Sequence, residues 1–186
     1  MTVQAQRATV LMSGGIDSAA CAHFFRSQGI NVDGLFIDHG QAAAGREGLA
    51  AHAIAEHLSM PLRCVTLSGG GCHGSGELVG RNAFLLFSAL LVTRGEVELL
   101  AIGLHAGTRY YDCSATFANA IGKLVAEYTD GRVSVIAPFL EWAKRDIYDY
   151  FVSAHLPIGL TYSCEAGGDP VCGTCASCCD RKALGC

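Results

Sequence analysis

Five short apolar runs alternate with five longer stretches of helical character, and this alternation constrains the fold of the chain more than any other feature. The runs Thr9–Met12, Val32–Ile37, Leu62–Leu67, Val97–Ile102 and Val133–Ala137 are mostly dense in Val, Ile, Leu and Phe, with little polar alternation. Strands of that kind are covered on both faces. Helical stretches follow near Ser18–Ser27, Glu47–Ser59, Asn82–Arg94, Thr116–Tyr128 and Lys144–His155. The order βαβαβαβαβα predicts an α/β fold, an open five-stranded parallel sheet with helices on both faces, whose ligands bind beyond the carboxyl ends of the strands. With 186 residues and 51% hydrophobic content, the chain can bury one sizeable core and has no room for a second large domain.

At the first strand-to-helix junction stands Ser13-Gly14-Gly15-Ile16-Asp17-Ser18. Adjacent glycines let a backbone approach a ligand closely, and Asp17 and Ser18 open a helix whose free N–H groups and dipole favour an anion. Phosphate is the natural guest. The spacing matches neither GxxxxGK[ST] nor GxGxxG, which excludes a Walker loop and a dinucleotide fingerprint. A glycine pair after a strand is also a common turn. Its position directly after the first strand, where nucleotide-binding α/β domains carry their phosphate loop, favours the phosphate reading.

A net charge of −4 argues against an extended nucleic-acid surface, which needs clustered Lys and Arg. No N-terminal apolar stretch suits a signal peptide, and the richest apolar run, Ala83–Val92, is far short of a membrane span, so a soluble, cytoplasmic protein without membrane contact is expected. In that setting ten cysteines point to metal ligands or buried thiols rather than a disulfide framework. Cys164-x7-Cys172-x2-Cys175-x2-Cys178, with Gly167, Gly168 and Gly173 between the steps, is a tetrahedral Zn²⁺ pattern; an iron–sulfur cluster is the alternative. Cys179 directly follows a ligand and reads as a spare thiol, and Cys186 has no assigned role. The chain thus divides into a nucleotide-binding domain, 1–158, and a cysteine segment packed on it, 159–186.

The glycine-rich Ser68–Gly80 reads either as a linker or as a lid over the ligand edge. Helix Asn82–Arg94 is apolar nearly all round and must be covered on several sides, inside the chain or by a second copy in a homodimer. His39 and His105 fall near the ligand edge and suit either acid–base work or packing. Tyr110 and Tyr111 suit either stacking on a flat heterocycle or core burial.

Ser13–Ser18 resembles the signature loop of the PP-loop ATP pyrophosphatases, which split ATP into AMP and pyrophosphate. Phe36-Ile37-Asp38-His39-Gly40-Gln41 is similar to Phe-x-Asp-Tyr-Gly-Gln, Gly80-Arg81-Asn82 to Pro-Gly-Arg-Asn, and Asp112-Cys113 with Phe117 to Asp-Cys-x-x-Phe. In this order, and ending in the zinc cysteines, these landmarks resemble the 7-cyano-7-deazaguanine synthase (QueC) family, of which the chain looks like a shortened, divergent member. The resemblance implies ATP held by Met12, Ser13, Gly14, Gly15, Ile16, Asp17, Ser18, Phe36, Asp38 and Gly103. It implies a heterocyclic carboxylate held by Gln41, Gly80, Arg81, Asn82, Tyr110 and Asp112. Catalysis would fall to Ser13, Asp17, Ser18, Arg81 and Lys144 with Mg²⁺, and Zn²⁺ would be structural. The implied reaction adenylates 7-carboxy-7-deazaguanine, passes it to ammonia as an amide, and dehydrates the amide to the nitrile with a second ATP. Ala42-Ala43-Ala44-Gly45 stands where the family carries basic residues, and the acidic residues expected between Gly103 and Asp112 are missing. These departures leave open another amine as acceptor, a protein or nucleic acid among them, and, in a different class, a non-catalytic nucleotide-binding module.

Overall fold

The computed structural model describes residues 6–69, 71–74, 76–105 and 107–186. Its strands are β1 (Arg7–Leu11), β2 (Asn31–Asp38), β3 (Leu62–Thr66), β4 (Leu99–Ala101) and β5 (Ser134–Ile136). All pair in parallel, in the order β3-β2-β1-β4-β5, with Ala8 set between Val32 and Leu99. The chain steps outward from β1 to β2 and β3, then crosses back to lay β4 and β5 on the other side. This reversal opens a crevice beyond the carboxyl ends of β1 and β4, the usual ligand position in such sheets.

The helices are α1 (Ile16–Ser27), α2 (Ala44–His57), α3 (Arg81–Thr93), α4 (Ala115–Tyr128), α5 (Lys144–Ser153) and α6 (Ala176–Leu184), with single 3-10 turns at Tyr111–Cys113 and Ile158–Leu160. Successive strand residues face opposite sides, so the central strands feed two cores. Val10, Val32, Phe36, Leu99 and Ala101 pack with Phe25 of α1, Ile54 of α2 and Phe151 of α5. On the other face Leu11, Leu35, Ile37, Leu100 and Ile102 pack with Leu86 of α3 and with Phe117, Ile121 and Val125 of α4. The expected α/β architecture is the observed one, its elements displaced by a few residues at their ends.

Three features differ from the sequence expectation. Strand β3, read as covered on both faces, exposes Arg63, Cys64 and Thr66, because it lies at the sheet edge. Helix α3 fully buries only Asn82, Leu86 and Ala89 and leaves Phe84 47% and Leu91 79% exposed, so its apolar circumference is not used up within the chain. Helix α6 lies in the cysteine segment, which reads in sequence as a metal-binding tail without a helix. Gly70 and Ser75 of the glycine-rich stretch lie outside the described residues. Among the described residues no helix is long and apolar enough to cross a membrane.

Candidate active site

Strand β1 runs directly into the phosphate-type loop. Gly14 has φ +75°, and a Cβ there would stand 2.6 Å from the Glu47 carbonyl and 2.8 Å from Ala50 Cβ, so only glycine lets the loop turn this closely against α2. Gly15 caps α1 in extended conformation. The Ser18 hydroxyl donates to the Gly15 carbonyl at 3.0 Å, and the Gly15 N–H donates to Ser13 Oγ at 3.4 Å, which knits the turn together. The first turn of α1 leaves N–H groups without intrahelical partners at the mouth of the crevice.

Asp17 is the electrostatic centre. Lys144 Nζ, at the start of α5, donates to Asp17 Oδ2 at 2.5 Å, and His105 Nε2 lies 3.9 Å from the same oxygen. Asp17 Oδ1 is buried without a hydrogen-bond partner among the described residues. A buried carboxylate oxygen left in that state fits a site completed by a cation or a donor. The Gly107 N–H donates to His105 Nδ1 at 3.0 Å, which in the neutral ring leaves the proton on Nε2, toward Asp17. Burial, and then Lys144, hold the imidazole pKa below its ordinary value, against the upward pull of Asp17.

Beyond β2, Asp38 Oδ1 accepts the Gly40 N–H at 3.0 Å. Gln41 accepts the His39 N–H at 2.9 Å and donates to Glu47 Oε2 at 2.9 Å, and burial pushes the Glu47 carboxyl up. At the start of α3, Asp112 accepts the Asn82 N–H and, through its carbonyl, the Asn82 amide, both at 3.0 Å and both buried. This pair fixes Arg81 at the cleft wall. Among the described residues no ion pair reaches Arg81; its Nε meets only Asn82 Oδ1, at 3.4 Å.

An open cleft of about 610 Å³ unites these groups. Met12, Ser13, Gly15, Ile16, Asp17, Ser18, Phe36, Gln41, Arg81, Asn82, Gly103, Tyr110 and Lys144 line it, with His39 and His105. Gly14, Asp38, Gly80 and Asp112 stand behind it, shaping the turns that present the others. Tyr111 turns away, 63% exposed, against Phe117. A second cleft of about 550 Å³ lies at the amino ends of the strands, lined in part by Arg7, Asp33, Arg63 and Arg94, where Arg7 and Asp33 pair at 3.2 Å. Placement at the carboxyl ends favours the first as the reactive site.

The cysteine segment also builds this wall, which sequence reasoning missed. Tyr162, Ser163, Glu165, Asp180 and Arg181 line the cleft. No local motif marks them, because docking of the segment brings them there. The Tyr162 N–H donates to the Gly14 carbonyl at 2.9 Å, Arg46 pairs with Asp169 at 2.6 Å, and Gly167, at φ +72°, packs so closely on Ala42 that a Cβ would collide with its carbonyl.

The Sγ atoms of Cys164, Cys172, Cys175 and Cys178 all lie within 4.8 Å of one another, with Cys172 and Cys178 at 3.9 Å. A tetrahedral ion with thiolate bonds of about 2.3 Å needs sulfur separations of about 3.8 Å. The donor set fits a metal ion. Backbone N–H groups of Thr174 and Cys175 pull the Cys172 thiol down to about 6, whereas burial pushes Cys178 up to about 12. Cys179 is exposed and turned to the Thr174 carbonyl, and Cys186 is exposed; neither joins the four.

Comparison with known proteins bears on the family and the fold. The family model "Queuosine biosynthesis protein QueC" matches residues 7–74 and 77–184. The chain is 31% identical to the 7-cyano-7-deazaguanine synthase of Desulfotalea psychrophila, across 93% of this chain and 90% of the relative. It is 30% identical to that of Halobacterium salinarum, across 96% and 90%. Among solved structures it resembles the U34-tRNA thiolase NcsA of Methanococcus maripaludis, solved with its 4Fe–4S cluster, at TM-score 0.58 and 16% identity over 96% of this chain and 64% of that one. A predicted tRNA methyltransferase subunit from Methanocaldococcus jannaschii gives TM-score 0.52 and 15% identity over 79% and 76%. At such identities the structural likeness speaks for the fold alone.

Proposed function

The chain belongs to the QueC family, and we propose on that basis that it is an ATP-dependent 7-cyano-7-deazaguanine synthase working at the cleft around Asp17. In the first step a carboxylate oxygen of 7-carboxy-7-deazaguanine attacks the α-phosphorus of ATP, and pyrophosphate leaves. Ammonia then adds to the acyl carbon and expels AMP, giving the amide. The amide oxygen then attacks the α-phosphorus of a second ATP, pyrophosphate leaves, and expulsion of AMP with loss of the two nitrogen-bound protons to solvent gives the nitrile.

The observation that carries this reading is Asp17, with one oxygen held by Lys144 and the other buried and free, at the first turn of α1. Backbone N–H groups there, with the Ser13 and Ser18 hydroxyls, suit the phosphate chain. Arg81, paired with no carboxylate among the described residues, suits the substrate carboxylate or a phosphate through its bidentate fork. Met12, Phe36 and Gly103 flank the nucleotide, and Gln41, Asn82 and Tyr110 the heterocycle. Mg²⁺ would be held by Asp17 and would spread the negative charge of the phosphates. The protein supplies positioning and electrostatics.

The four cysteines are assigned a structural Zn²⁺, residues 159–186 form a segment packed on the nucleotide-binding domain 1–158, and the exposed face of α3 joins two copies in the cytoplasm. The test supplies 7-carboxy-7-deazaguanine, ATP, Mg²⁺ and ammonium and follows nitrile by mass spectrometry and pyrophosphate by coupled assay. Nitrile formation is expected, with Asp17→Ala lowering pyrophosphate release by about 100-fold or more, as for loss of a preorganised charge-stabilising group. Pyrophosphate without nitrile would assign the acyl group to another amine, and an Asp17→Ala rate equal to wild type would refute the catalytic centre.

A further inference from the structure

We infer that Arg181, delivered by the cysteine segment, contacts the phosphates of ATP and the departing pyrophosphate, an assignment that rests on the proposed ATP cleavage. Its position carries the argument. Arg181 lies in α6 and lines the cleft shared with the phosphate loop. Its Nε donates to Ser163 Oγ at 3.0 Å, and its terminal nitrogen donates to the Thr161 hydroxyl. Ser163 Oγ in turn lies 3.9 Å from where a Cβ on Gly15 would stand, and the neighbouring Tyr162 N–H holds the Gly14 carbonyl. The guanidinium is therefore anchored beside the N-cap of α1, where the phosphate chain would sit.

Charge completes it. Both anchors are neutral hydroxyls, and among the described residues no ion pair reaches Arg181. Lys144 is neutralised by Asp17 at 2.5 Å, and the other cation of α6, Lys182, donates to the Gly173 carbonyl at 2.7 Å, closing the segment on itself. A half-buried arginine positioned by hydroxyls keeps its full charge for an anion, and its planar fork suits phosphate oxygens. The four-cysteine cluster then gains a purpose. Cys175 caps α6 and Cys178 lies in its first turn, so an ion held there fixes the helix that carries Arg181 one turn further on.

The test titrates inorganic pyrophosphate, and separately Mg-ATP, into the full metal-loaded chain by calorimetry, with metal content measured for every variant. Arg181→Gln keeps a donor for the two hydroxyls and removes the charge. It is expected to retain its metal and weaken pyrophosphate binding about 10- to 100-fold, the effect of losing hydrogen bonds to a charged group. Arg181→Lys is expected to fall between, since a point charge replaces the fork, and Lys182→Gln to bind as wild type. Unchanged pyrophosphate affinity in metal-loaded Arg181→Gln overturns the assignment. Loss of metal from both Arg181 variants also overturns it, by making the side chain a strut of the segment. A wild-type chain that binds neither pyrophosphate nor ATP refutes the synthase reading itself, so the two failures are read separately.

Discussion

Asp17 divides its work between two oxygens, and His105 shows how narrowly that arrangement is poised. With Nδ1 occupied by the Gly107 N–H, protonating the ring would turn an acceptor into a donor facing a donor. Burial and Lys144 oppose the same proton, so the folded pKa lies below the unfolded value of 6.5. The unfolded chain therefore binds this proton first as pH falls. Stability is fully present above 6.5, falls as pH drops toward the folded pKa, and levels out beneath it. His23 and His39 are shifted in the same direction, so the contribution of His105 must be taken as a difference. In His105→Asn the side-chain oxygen can still accept the Gly107 N–H, and nothing titrates. Urea midpoints are expected to run parallel for the two proteins above pH 7 and to drop more steeply for wild type below 6.5. A wild-type curve that falls no more steeply than that of His105→Asn below pH 6.5 would contradict the neutral-ring geometry.

Among the elements, α3 and β3 show where a linear pattern stops being informative. The five strands and five principal helices could be read from apolar runs, because residues facing two cores must be apolar whichever strand they occupy. The position of β3 at the edge could not be read, since an apolar run does not reveal its neighbours. Ser13–Ser18 and the cysteine spacing were legible as local chemistry; Tyr162, Ser163 and Arg181 were not, because only docking brings them to the cleft. Helix α3 gave the right composition and an incomplete explanation, for Phe84 and Leu91 remain outside, beside a ridge on α4 where Tyr128 meets Phe87 at 5.6 Å and Leu124 is exposed. Burying each such side chain contributes about 1.5–3 kcal/mol, and an exposed apolar face of this kind suits the proposed contact between two copies. Light scattering is expected to give twice the 19.5 kDa chain mass for wild type and the single mass for Leu91→Glu, whose charge would enter the centre of the face. A wild-type monomer at tens of micromolar would leave α3 without this partner.

At the scale of the whole molecule, the cysteine segment closes the cleft rather than supporting the sheet. Both cores are complete on residues up to Leu156, and only Ile158, Leu160 and Leu184 from beyond that point pack against them, partly buried. The polar ties run elsewhere. Tyr162 holds the phosphate loop, Asp169 holds Arg46, and Glu165 accepts the Gly76 N–H at 3.1 Å while its other oxygen accepts the Ser177 hydroxyl at 2.9 Å and N–H at 3.1 Å. That carboxylate links the start of α6 to the stretch after β3, so the four-cysteine cluster, the glycine-rich wall and the Ser13–Ser18 loop share one set of contacts. Without the ion the four thiols lose what orders them, because metal binding free energy in a small segment is folding free energy. Cys172→Ser with Cys175→Ser, or a strong chelator, is therefore expected to remove one ion per chain and to unfold locally. Hydrogen exchange should speed up across residues 161–184 and at Gly76, while the amides of β1 and β4 stay protected, in line with the graded stability of a domain. Pyrophosphate affinity should fall with the segment, through the loss of Arg181 and of the Tyr162 tie to Gly14. Simultaneous loss of protection in β1 and β4 would make the metal part of the global fold instead, and an unchanged tail would show that the four cysteines organise nothing.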